Sequence, residues 1–124
     1  MSNFESREDY LETILLLSKK GNVREIDIVN EMHYSKPSVS IAMKKLKEEG
    51  YIEINDNYIT LTSLGNEIAS KTYERHEILT KALVSLGVNK KTALNDACKI
   101  EHDLSEESFN AIKNHLEKYN IFAS

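Results

Sequence analysis

Cys98, Glu101 and His102 are the residues whose types and spacing best suit chemistry in this chain. On a helix, positions i, i+3 and i+4 share one face, so a thiol, a carboxylate and an imidazole can converge on one transition-metal ion. The plainer alternative is a buried cysteine beside a solvated Glu-His pair, and the string Cys-x-x-Glu-His does not by itself decide between them. Asp9 and Glu12 offer two oxygens one turn apart near the start of a first helix. They are equally the exposed acids that a helix N-terminus favours. His76, between Arg75 and Glu77, is a further imidazole or a solvated surface histidine. His33 and His115 read as turn and surface residues. No Gly-rich phosphate loop, Ser/His/Asp string or His-Glu-x-x-His accompanies these groups, so the chain does not read as an enzyme.

A second signal is basic. The net charge of −4 argues against non-specific nucleic-acid binding, but the charge is unevenly distributed. Residues 35–47 carry Lys36, Lys44, Lys45 and Lys47 and no acid, whereas residues 95–107 set Asp96, Glu101, Asp103, Glu106 and Glu107 against Lys99 alone. In the helix predicted from Lys36 to Glu49, Val39, Ala42, Met43 and Leu46 face inward, and Ser38, Ile41 and Lys45 face out, flanked by Ser40 and Lys44. A recognition helix places its N-terminal part in the major groove. Lys36, Pro37, Ser38, Ser40, Ile41 and Lys45 are therefore the candidate DNA-binding residues, with serines and lysines serving phosphates or bases and Ile41 able to touch a thymine methyl. A solvated lysine face is the alternative, and an outward isoleucine fits it poorly.

The elements that must position these residues are mainly helical. One proline and four glycines punctuate 124 residues, of which 40% are apolar and 29% charged, a composition of ordinary folded proteins. The longest apolar run, Ile14 to Leu17, has four residues against the ~20 of a membrane span. No signal-peptide pattern opens the chain, and the single cysteine excludes an internal disulfide, so a cytoplasmic protein without membrane association is expected. Apolar spacing predicts helices over about 6–19 and 24–31. A tight turn at His33-Tyr34-Ser35 follows, and Ser35 caps the Lys36 helix with Pro37 in its first turn. Tyr51 to Ile54, a turn at Asn55-Asp56-Asn57, and Tyr58 to Leu61 read as a hairpin. Together these make a winged helix-turn-helix over residues 1–62. Over 63–124, a long helix to about Leu86 is followed by one capped by Asn89 running to Asp103, and one capped by Ser105 carrying Phe109, Ile112, Leu116 and Tyr119. The last helices are too few to enclose a core and suit a dimer interface.

With these motifs in order, the sequence closely resembles the diphtheria toxin repressor and manganese transport regulator family of metal-dependent repressors. The resemblance covers nearly the whole chain. It rests on Glu8-Asp9-Tyr10-Leu11-Glu12, Lys36-Pro37-Ser38-Val39-Ser40, Leu61-Thr62-Ser63-Leu64-Gly65, Tyr73-Glu74-Arg75-His76 and the stretch Asn95 to Ser105. It implies a homodimer in which a divalent ion, Fe2+ or Mn2+ with Co2+, Ni2+ or Zn2+ as substitutes, bridges the first helix and the dimerisation helices. Two recognition helices are thereby set for a palindromic operator in double-stranded DNA. Asp9, Glu12, His76, Glu101 and His102 match the manganese-type ligand set, whereas Cys98 matches the iron-type branch, so the implied metal site is a hybrid. A soft thiolate favours iron(II) and the harder carboxylates manganese, and the balance leans to iron. Thr80 and Leu94 stand where the iron-type branch has ancillary ligands, so that second site is not expected, nor is a carboxylate-bridged two-metal cluster. No counterpart of the SH3-like domain of longer members is expected in these residues. Ile41 replaces a polar base-reading residue of iron-type relatives, so their operator does not transfer.

The expected function is a metal-dependent repressor of metal-uptake genes, in which a cation neutralises Asp9, Glu12 and Glu101 and fixes the DNA-binding lobe. The alternative is a metal-independent winged-helix regulator using Cys98 as a thiol sensor.

Overall fold

Helix caps and turn residues fix most of the element boundaries in the computed structural model, which describes residues 3–119. The elements are α1 (Asn3–Ser18), α2 (Glu25–Met32), α3 (Lys36–Glu48), β1 (Ile52–Asn55), β2 (Tyr58–Leu61), α4 (Ser63–Ser85), α5 (Lys90–Ile100) and α6 (Glu106–Lys118). They fall into two units, one through Lys71 and one from Thr72; α4 begins in the first and continues in the second.

The first unit is a winged helix-turn-helix. Leu11 and Ile14 of α1, Ile28 of α2, Val39 and Met43 of α3, and Ile52 and Ile59 of the hairpin are buried in one cluster. The helix-turn-helix corner depends on His33, which ends α2 in the left-handed region (φ 60, ψ 32) and donates its N–H to Val29 O at 2.9 Å. Ser35 then caps α3, its hydroxyl oxygen accepting from Ser38 N at 3.2 Å. Pro37 lies within the first turn, where its missing N–H leaves no bond unmade. The hairpin pairs Ile52 with Leu61 through Asn55 with Tyr58. Asp56 and Asn57 both have positive φ, 52 and 68, the combination of a type I′ turn whose twist matches the strands. Arg24, just before α2, braces the wing by donating to the Tyr58 hydroxyl at 2.8 Å and lying over its ring.

The second unit has a small apolar cluster of Ile78, Phe109 and Leu116, with Ala82 and Ile112 packed against it. Asn89 caps α5 through Lys91 N, and Ser105 caps α6 through Ser108 N. One expectation is corrected here. Helix α5 stops at Ile100 and not at Asp103: Glu101 still donates to Ala97 O, but Asp103 N–H bonds Ile100 O three residues back, so the chain tightens into a turn. Leu86 lies beyond the end of α4 and is 80% exposed, the helix having closed at Ser85 ahead of Gly87 (φ 101). Among the described residues, no helix is long and apolar enough to cross a membrane.

The junction after the wing is tight. Thr62 donates its hydroxyl to Gly50 O at 2.7 Å and accepts from Gly65 N at 3.1 Å, capping α4. A Cβ on Gly65 would overlap the carbonyl of Tyr51. Gly65→Ala should therefore destabilise this unit by about 1–3 kcal/mol in chemical denaturation, whereas Asn66→Ala, at an exposed neighbour, should leave the midpoint nearly unchanged.

Candidate metal centre and nucleic-acid interface

The second unit gathers four of the six residues proposed as metal ligands. Glu101, 2% exposed, directs Oε2 to His76 Nδ1 at 3.1 Å and Oε1 to His102 Nε2 at 3.3 Å. A carboxylate only accepts, so each contact uses an imidazole N–H as donor. Cys98 Sγ lies 3.7 Å from the same His76 Nδ1. One ligand atom each from His76, Cys98 and Glu101 falls within 4.8 Å of the others. Cys98 is exposed, His76 half-buried, and the side chain of His102 is only 5% exposed. His76 is thus not the solvated surface residue that its flanks alone allow.

The backbone that carries Glu101 is held from outside its own helix. Arg75 Nη1 donates to Glu101 O at 3.0 Å and to Leu104 O at 2.7 Å, with the guanidinium over the Phe109 ring. These bonds take up the cap carbonyl of Glu101 and the Leu104 carbonyl of the turn that follows, and they fix the turn bearing Glu101 and His102. In the sequence Arg75 stands out only as part of the Tyr73-Glu74-Arg75-His76 motif. Its role spans 26 and 29 residues, and no local periodicity encodes such a tie. Thr80, the residue standing where an ancillary ligand would be, spends its hydroxyl on His76 O at 2.7 Å.

The neighbours of His76 change its acidity. Its hydrogen bonds to Cys98 first and Glu101 second, opposed by burial, push its pKa up to about 10. In the metal-free protein at neutral pH the imidazole is therefore charged, with its proton shared toward the thiol and the carboxylate.

In the first unit, Asp9 and Glu12 stand one turn apart on α1, both half-buried, beside the buried Tyr10 and Leu11. On α3 the proposed DNA-contacting residues Lys36, Pro37, Ser38, Ser40, Ile41 and Lys45 are all exposed, opposite the buried Val39, Met43 and Leu46. Ser35 Oγ donates to Ser38 Oγ at 2.8 Å.

Comparison with known proteins settles the family. The description "Iron dependent repressor, N-terminal DNA binding domain" matches residues 4–57, and "Iron dependent repressor, metal binding and dimerisation domain" matches residues 62–121. The chain belongs to the iron-dependent repressor family. Among curated members, an uncharacterised helix-turn-helix regulator of Methanocaldococcus jannaschii is 36% identical over 119 residues, 93% of this chain and 95% of that one. The Escherichia coli transcriptional regulator MntR is 34% identical over 114 residues, 90% of this chain and 74% of that one. A manganese-dependent transcriptional repressor solved in complex with manganese aligns with a TM-score of 0.82 at 25% identity. That alignment covers 90% of this chain and 52% of the other, so the chain spans about half the length of the solved repressor. In family terms the Glu101 cluster lies in the metal-binding and dimerisation segment, and α3 lies in the DNA-binding segment.

A metal at His76 must displace the proton held there. Below a pKa of about 10, each unit of pH lost should weaken apparent metal affinity by about tenfold from this proton alone. Calorimetric titration at neutral pH in buffers of different ionisation heat should count that proton, and His76→Asn should release about one fewer. The same raised value gives the metal-free fold a contribution that is complete below the unfolded value of about 6.5. It is lost as pH rises toward 10.

Proposed function

We propose that this chain is a homodimeric transcriptional repressor of metal-uptake genes that binds operator DNA when Fe2+ or Mn2+ occupies a site built on Glu101. Family membership carries the class of function. One observation carries the site: a buried carboxylate with thiol and imidazole donors within 4.8 Å of one another. The donor set fits a divalent transition ion, since thiolate and imidazole suit iron and carboxylate suits manganese. His76, Cys98, Glu101 and His102 are the proposed ligands, with Asp9 and Glu12 of α1 as further oxygen donors. The proposed functional boundary follows residue 62.

A divalent cation, when bound, supplies fixed positive charge to a group of deprotonated ligands. The rest is the work of the chain. Glu101 presents both carboxylate oxygens, Cys98 gives up its thiol proton, and His76 surrenders the proton that its neighbours hold in the free protein. Arg75 keeps the turn at Glu101–Leu104 in register, so the donors are arrayed before an ion arrives. Binding shifts the population toward the DNA-competent arrangement only by the difference in metal affinity between the two arrangements.

On DNA, Lys36 and Lys45 serve phosphates, and Pro37, Ser38, Ser40 and Ile41 lie along the part of α3 that meets base edges. The alternative of a metal-independent thiol sensor is not favoured, because Cys98 lies in a segment matched as metal-binding. The proposed setting is the cytoplasm, where a thiol and operator DNA are both found.

Glu101→Ala and His102→Ala should leave the dimer intact in sedimentation and abolish the metal-stimulated rise in binding to promoter DNA. Arg75→Met, which removes support and no ligand, should weaken metal affinity about 10–100-fold while keeping full stimulation at saturating metal. Undiminished stimulation in Glu101→Ala would refute the switch.

A further inference from the structure

Ile41 is 70% exposed on α3, more than any other large apolar side chain described in the first unit. Single exposed apolar residues are common on protein surfaces, so exposure alone means little. Its position says more. At 100° per residue, Ile41 lies about 160° around the helix from both Val39 and Met43, which are fully buried. It therefore stands at the crest of the outward face. Ser38 is one turn before it and Lys45 one turn after, with Lys44 alongside, all exposed. The cations stand around the crest and the apolar side chain occupies it.

That arrangement suits a major groove. Lysines at the sides reach the phosphates that wall the groove, and the residue at the crest reaches deepest, toward the base edges. Of the groups base pairs display there, the ring methyl of thymine is the apolar one; the rest are hydrogen-bond donors and acceptors. An isoleucine has no polar atom with which to read those. Facing a guanine or adenine edge, it would strip water from acceptors without replacing the lost bonds. We infer that Ile41 is a specificity-determining residue that selects a thymine in each operator half-site by contact with the thymine methyl. Ser38, exposed one turn earlier, is placed to read the neighbouring base or phosphate. This inference rests on the DNA-binding reading above and names what that interface recognises.

The test uses the full chain loaded with Mn2+. A randomised duplex library is selected for binding, and each thymine of the recovered site is then replaced singly by deoxyuridine, which removes only the methyl. Wild-type protein is compared with Ile41→Ala and Ile41→Gln. Both replacements are good helix formers at an exposed position, and circular dichroism checks that they fold. At one thymine per half-site, loss of the methyl should weaken wild-type binding about fourfold and leave Ile41→Ala unaffected. Ile41→Gln should lose the thymine preference at that position and gain one for adenine, whose edge an amide can bind with two hydrogen bonds. Equal methyl sensitivity in wild type and Ile41→Ala, or no methyl-sensitive thymine, would overturn the inference while the DNA-binding reading stood. Failure of the metal-loaded wild type to enrich any duplex would remove that reading, and the inference with it.

Discussion

A carboxylate withdrawn from water must be met by positive charge or hydrogen-bond donors, and Glu101 is 2% exposed. In this chain both of its oxygens face imidazoles, His76 at 3.1 Å and His102 at 3.3 Å. The need for compensation organises the second unit. With the Cys98 thiol, whose hydrogen bond raises the His76 pKa most, it explains why His76 holds its proton so firmly, and it explains why an arginine one residue away is committed to the carbonyls of the Glu101 turn. The charge can be balanced by the extra proton on His76 or by a cation that displaces it. Two ways of satisfying one buried group are the physical basis of a sensor.

The two units are held by different means. The first buries a continuous, mainly aliphatic cluster drawn from α1, α2, α3, the start of α4 and the hairpin, which gives α3 a rigid platform. Among the described residues, the second has a small cluster of Ile78, Phe109 and Leu116, with Leu79, Ala93 and Ala97 also buried, and adds polar ties: Arg75 to two carbonyls, and Lys113 to Glu74 at 3.2 Å. So small a core fits a segment that the family uses for dimerisation. Val84, Leu94 and Ile100, between 38% and 43% exposed, and Leu86 at 80% are apolar surface for which a dimer partner would account.

Much of the first unit was legible because its determinants are local. Ser35 and Pro37 announce the start of α3, the spacing of Val39, Met43 and Leu46 announces its buried stripe, and Asp56-Asn57 supplies the two left-handed residues of the wing turn. Of the site, the residue types were legible and the backbone beneath them was not. Three-and-four spacing put Glu101 and His102 on a helix, but α5 ends at Ile100 and presents them from a turn. The group that holds this turn, Arg75, lies more than 20 residues earlier on α4. Pattern within a window cannot report such a tie. For the same reason His76, flanked by Arg75 and Glu77, looked as solvated as any surface histidine.

Metal sensing here depends on the thiol, carboxylate and imidazoles around Glu101 ligating a single divalent ion. Anaerobic titration of the metal-free protein with Co2+, followed by absorption, tests it most directly. Visible ligand-field bands are expected together with a near-ultraviolet thiolate charge-transfer band, saturating together at one equivalent, and Cys98→Ser should lose the charge-transfer band. Visible bands without the thiolate band would contradict the place of Cys98 in the site. No saturable spectrum at all would contradict the metal centre itself.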